Sequence, residues 1–81
     1  MTRDEVLELV RSHLAEELEV EIATISEPTR FKEDLDADSL DLYELVMELE
    51  DRYGIAISEQ QAAQIETVGD AVEFVLQHAP A

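Results

Sequence analysis

Val6, Val10, Leu14 and Leu18, with Leu7 and Leu9 beside them, recur at the spacing of one helical face. Thr2 precedes them and Glu5 stands three residues later, which is the pattern of a capping box. A first helix is expected from about Arg3 to about Leu18. From Glu19 to Asp38 the period lapses, and Ser26-Glu27-Pro28-Thr29 is a turn signal. Val20, Ile22 and Ile25 suit either extended backbone or single contacts against the first helix. Phe31 and Leu35 stand alone among charges and are expected to pin this connection to the core. So long a loop in a small domain is usually functional or ordered by packing.

A second helix is expected from near Ser39 to Tyr53, with Gly54 as its stop. At about 100° per residue, Leu42, Leu45, Val46, Leu49 and Tyr53 form one stripe, which is the core face. Leu40, Tyr43 and Met47 lie together about 130° around the same helix, flanked by Asp41, Glu44, Glu48 and Asp51. Two readings of that second set stay open: packing under the long loop or another helix, or a partner-binding strip with an apolar spine. Ile55 and Ile57 return to the core. Ser58-Glu59-Gln60-Gln61 is another capping box, opening a short helix through Ala62, Ala63 and Ile65. Thr67 caps a last helix whose inner face is Val68, Ala71, Val72 and Val75, and which ends near His78, before Pro80. No strand is convincing. The expected fold is all-α: a small four-helix bundle of three longer helices and one short one, with the long loop between helices one and two crossing one end.

Length and charge narrow the function. Eighty-one residues suit a single domain spanning 1–81. With no cysteine there is neither a disulfide nor a thiol of the chain's own. The net charge is -16, from 21 acids against 5 bases. Nucleic acid and anionic membranes would repel such a chain, whereas basic protein faces would be steered toward it. No stretch approaches a membrane span, and the amino terminus carries charge where a signal peptide needs an apolar run. A soluble, cytoplasmic monomer is expected. His13 and His78 lie far apart, so a zinc site is not expected.

The charge is concentrated. Nine acids and no base fall between Glu33 and Asp51, and one serine, Ser39, sits where loop becomes helix. Serine there is ordinarily a cap. Asp38 already offers a capping carboxylate, however, and both the loop and the acidic strip converge on Ser39. As a catalytic nucleophile Ser39 would need a nearby base. Neither histidine is close in sequence and no glycine-rich oxyanion turn is visible, so no catalytic residue is assigned.

Glu33-Asp34-Leu35-Asp36-Ala37-Asp38-Ser39-Leu40-Asp41, followed by Glu44-Leu45-Val46-Met47-Glu48-Leu49-Glu50, resembles the prosthetic-group segment of acyl carrier proteins. The resemblance continues through Tyr53-Gly54-Ile55, Ile57, Ile65, Thr67-Val68-Gly69-Asp70-Ala71 and Val75, nearly the whole chain. It implies a carrier and not an enzyme, with 4'-phosphopantetheine transferred from coenzyme A to Ser39 by a phosphopantetheinyl transferase. It implies acyl cargo held as a thioester and shuttled among enzymes of fatty-acid biosynthesis: acyltransferases, ketosynthases, reductases and dehydratases with basic docking faces. The matching docking positions are Asp38, Leu40, Asp41, Tyr43, Glu44, Met47, Glu48 and Asp51. The aliphatic core could open to admit the acyl chain near Val46, Ile65 and Val72. Three positions depart from the family pattern. Asp36 stands where many members have glycine, Ser58 where many have proline, and Tyr43 where a smaller apolar residue is frequent.

Rival readings remain. A polyketide or aminoacyl carrier would share the fold. An acidic interaction module would share it without modification of Ser39. Asp34-x-Asp36-x-Asp38 imitates the opening of a calcium loop, but the sixth position is Ser39 instead of glycine and the twelfth is Leu45 instead of glutamate.

Overall fold

The structure, a computed structural model, describes residues 2–79. Four α-helices follow in order: α1 Arg3–Leu18, α2 Ser39–Tyr53, α3 Glu59–Ala63 and α4 Val68–His78. Among the described residues there is no strand, only an isolated antiparallel bridge between Arg30 and Thr67. The long connection holds one 3-10 turn, Ile22–Thr24. Pro80, expected just beyond the end of α4, lies outside the described residues.

The caps explain the boundaries. Thr2 accepts a hydrogen bond from the Glu5 N–H at 3.2 Å, but the reciprocal bond from Glu5, expected of a full capping box, does not form. Asp38, Ser58 and Thr67 each make the complete box with the third helical residue, satisfying two N–H groups apiece. α2 ends at Gly54, whose φ of 64° is left-handed and costs glycine nothing. α3 closes at Ala63, so Ile65 falls just beyond it, on the backbone that leads into α4.

α1 packs against α4 and, less extensively, against α2. Val6, Val10 and Leu14 on α1 meet Val68, Ala71, Val72 and Val75 on α4, all of them fully buried. On α2, Leu45 and Leu49 are buried, while Leu42, Val46 and Tyr53 are half-buried. The expected core face is therefore right in direction and thinner than expected, because little of the bundle covers its Leu42–Val46 edge.

The connection is fastened at four places. Phe31 is fully buried, and its N–H donates to the Glu66 carbonyl at 3.1 Å. The first two residues of α4 donate back, Val68 N–H to Thr29 O at 2.9 Å and Gly69 N–H to Glu27 O at 2.8 Å. A Cβ on Gly69 would stand 3.1 Å from that Glu27 carbonyl, so the close approach requires glycine or a small displacement. Arg11 reaches from α1 to the carbonyls of Ile25, at 2.7 Å, and Ile22, at 3.0 Å. Arg3 joins Glu27 to Glu73. Ile25 is buried while Ile22 stays largely exposed, which resolves the open choice for this segment: single contacts and a turn, not a strand.

Among the described residues, two other than glycine have left-handed backbone, Glu19 (φ 54°) at the end of α1 and Asp36 (φ 55°) in the approach to α2. Such a conformation costs a side-chain-bearing residue on the order of 1–2 kcal/mol. Aspartate tolerates it better than most, which accounts for Asp36 at a position where glycine is common. Glutamate has no such advantage. Glu19→Gly is therefore expected to raise the unfolding free energy by about 0.5–1 kcal/mol, after the larger chain entropy of glycine is counted, as measured by urea denaturation.

Candidate functional site

The approach to α2 is a tight path. Ala37 N–H donates to Phe31 O at 2.9 Å, folding residues 32–36 into a loop above the buried phenyl ring, and Ala37 itself is buried. The three aspartates that imitate a calcium loop are thereby put to separate uses. The Asp34 carboxylate accepts the Arg30 N–H at 2.8 Å, and that bond holds its carboxyl below the usual carboxylate range. Asp36 occupies the left-handed turn, and Asp38 caps α2. Among the described residues no three histidine, cysteine or acidic side chains are grouped so as to hold a metal.

Ser39 is the first residue of α2, and it is exposed. Asp38 Oδ1 accepts the Asp41 N–H at 3.0 Å, and Asp41 Oδ2 accepts the Asp38 N–H at 3.1 Å. The helix end is capped without the serine. The Ser39 hydroxyl makes no hydrogen bond within the described chain, and no histidine reaches it; His78 Nδ1 instead lies 2.9 Å from the Phe74 carbonyl. A free hydroxyl at a helix start, beside backbone N–H groups, suits an attached phosphate ester and lacks the base that a nucleophilic enzyme needs.

Around it the second face of α2 is open. Leu40, Tyr43 and Met47 are 69%, 59% and 48% exposed. That decides against packing under the loop: among the described residues little covers them. Asp38, Glu44 and Asp51 are exposed and Glu48 is half-buried, pairing with Arg52 at 3.3 Å. Asp41 is half-buried, and with Asp38 it is held in the cap, so these two and Glu48 are the expected docking acids already engaged. Glu17, near the end of α1, abuts the same face. Hydrogen bonding to Glu44, then desolvation and repulsion from Glu44 and Asp41, push its carboxyl up to about 7.

A cleft of about 350 Å³ opens beside Ser39 between α2 and α3, lined by Leu42, Val46, Ile57, Ala62 and Ala63, with Lys32 at the loop side. Ile65 lines two other hollows, and Val72 is sealed in the core and lines none of these. Val46, Ile65 and Val72 are thus not brought together at one pocket; only Val46 borders the cleft at Ser39. The reason is the short α3, which lifts the chain off α2 and leaves the gap there instead of deeper in the bundle. Ala62 and Ala63 also line the cleft, beyond the expected pocket residues. Their signal was two small side chains in a short helix of long polar ones.

The phosphopantetheine attachment site family matches residues 8–75. Acyl carrier proteins of Lactobacillus acidophilus and Rubrobacter xylanophilus are 41% and 42% identical over 78 residues, 96% of this chain and 98% and 96% of theirs. The acyl carrier protein of Enterococcus faecalis superposes with a TM-score of 0.83 at 39% identity, covering 98% of this chain and all of that one. A doublet acyl carrier protein from prodigiosin biosynthesis, 20% identical, shares the fold with a TM-score of 0.78 over 96% of this chain and 38% of its own. The chain belongs to the acyl carrier proteins, carriers built around a phosphopantetheine attachment site.

Proposed function

We propose that Ser39 is the attachment residue, and that residues 1–81 act as one carrier domain for acyl intermediates of fatty-acid biosynthesis. The observation that supports this most is the Ser39 hydroxyl, exposed at the first turn of α2 and released from capping by the Asp38–Asp41 pair. In the transfer the Ser39 oxygen forms a bond to the proximal phosphorus of coenzyme A, the pyrophosphate linkage breaks, and the hydroxyl proton leaves. Adenosine 3',5'-bisphosphate departs. The attached group supplies a terminal thiol, which a chain without cysteine lacks.

The chain's own residues do the rest. The capping pair fixes the direction in which the Ser39 oxygen leaves the helix. Leu40, Tyr43 and Met47 offer a dry strip, ringed by Asp38, Glu44, Glu48 and Asp51, that fits a basic enzyme face with an apolar centre. The phosphopantetheinyl transferase, acyltransferases, ketosynthases, reductases and dehydratases would share that strip in turn. The cleft along Leu42, Val46, Ala62 and Ala63 would shelter the acyl chain from water. Its apolar lining favours the fatty-acid reading over an aminoacyl carrier, whose cargo is charged.

Intact mass spectrometry after expression with a phosphopantetheinyl transferase is expected to show one adduct, localised to Ser39 by peptide mapping and lost in Ser39→Ala. An unmodified Ser39 with retained activity in Ser39→Ala would sink the carrier reading of this residue. On loading a medium-length acyl chain, methyl resonances of Val46, Ala62 and Ala63 are expected to shift while those of Val72 stay in place. Movement of Val72 instead would put the chain in the core.

The crowding of Glu17 against Glu44 and Asp41 makes stability depend on pH. A carboxyl whose folded pKa is raised contributes stability fully present below its unfolded value near 4.5 and lost as pH rises through about 7. Glu17→Gln is expected to raise the thermal midpoint at about pH 8 and to flatten its decline between about pH 5 and pH 7.5. An equally steep decline in the variant would assign the pH dependence to other groups.

A further inference from the structure

The chain has five basic residues, and four of them are spent in ion pairs. Arg3 holds Glu27 and Glu73, Arg11 holds Glu8, Arg30 holds Glu33 and Asp34, and Arg52 holds Glu48. Among the described residues Lys32, the single lysine, makes no ion pair with an acid. It is also the one base that lines the cleft shared with Ser39. Its backbone is held from below: the neighbouring Phe31 ring is fully buried, and Phe31 O accepts the Ala37 N–H at 2.9 Å, closing the loop that carries Lys32 to the cleft Ser39 also lines.

A phosphodiester on the Ser39 oxygen would bring one more negative charge next to Asp38 and Asp41, whose carboxylates are committed to the cap and cannot turn away. Glu59, across the cleft, adds another acid. The nearby backbone offers only partial charge in compensation. Lys32 supplies a full one, as a compact ammonium on a stem flexible enough to reach over the cleft mouth. Both Lys32 and Ser39 are exposed, so the pair is solvent-screened and sensitive to salt.

We propose that Lys32 is a positioning residue for the arm, its ammonium holding the phosphodiester at Ser39 so that the arm starts out over the α2–α3 cleft. This rests on attachment at Ser39. It places the first segment of the arm along the cleft that would receive the cargo, instead of letting it swing from the helix end toward solvent.

The single lysine makes the test direct, because [13Cε]lysine labelling gives one resonance. Full attachment at Ser39 is first verified by intact mass and peptide mapping. Between the unmodified and modified proteins the Lys32 Cε resonance is expected to shift, and raising salt is expected to reverse that shift. The 31P resonance of the modified protein is expected to move in Lys32→Gln and to be restored in Lys32→Arg, with backbone amide spectra otherwise superimposable. An unmoved lysine resonance, or a 31P resonance identical in the wild type and Lys32→Gln, overturns the inference while leaving attachment intact. Absence of any adduct on Ser39 overturns both.

Discussion

Everything that positions Ser39 depends on how residues 27–37 are tied to the start of α4. The long connection has no regular ladder of its own, so its backbone groups must find partners elsewhere. They find them at Glu66, Val68 and Gly69, and the Phe31 ring, fully buried, anchors the connection beneath those bonds. The bond from Ala37 to Phe31 then passes this fixed point on to the first turn of α2. A serine at the end of a free loop would sample many directions. Here it leaves a helix whose cap is closed and whose approach is pinned at the base.

The same arrangement divides labour along α2 without adding mass. Leu45 and Leu49 turn inward, Leu40, Tyr43 and Met47 outward, and Leu42 and Val46 lie on the boundary, where the short α3 leaves a cleft. One helix thus supplies core, an exposed apolar strip and a cleft wall on three sides. The cost is electrostatic. Acids crowd both α2 and the adjacent end of α1, to the point that the Glu17 carboxyl is pushed up to about 7. A basic partner face would relieve this repulsion on binding, so the strain that weakens the isolated chain favours complexes.

The small number of bases sharpens their roles. Arg3 and Arg11 brace the connection from α1, and Arg30 organises the turn before α2 by engaging Glu33 and Asp34. With those charges consumed, the cation at the cleft mouth is Lys32. In a chain of net charge -16, a lysine without an ion pair among the described residues, lining the same cleft as Ser39, stands out by its surroundings and not by its residue type.

Helix periods, caps and charge are local properties, and they are legible in the sequence: the bounds of α1, α2 and α4, the capping residues Asp38, Ser58 and Thr67, the box at Ser58, the stop at Gly54 and the isolation of Ser39 from capping all follow from residues within a few positions of one another, whereas the box expected at Thr2 is only half formed. The sequence by itself also determined that Leu40, Tyr43 and Met47 share a face, but not whether that face was covered, because burial depends on what packs opposite. The same limit separated Val46 from Ile65 and Val72. All three are apolar at inward positions, and only the path of α3 decides which of them meets a cleft and which is sealed in the core. The left-handed turn at Asp36, the seating of the loop on α4 and the placement of Lys32 at the cleft mouth are likewise tertiary. They arise from contacts between residues distant in the chain, which no periodicity records.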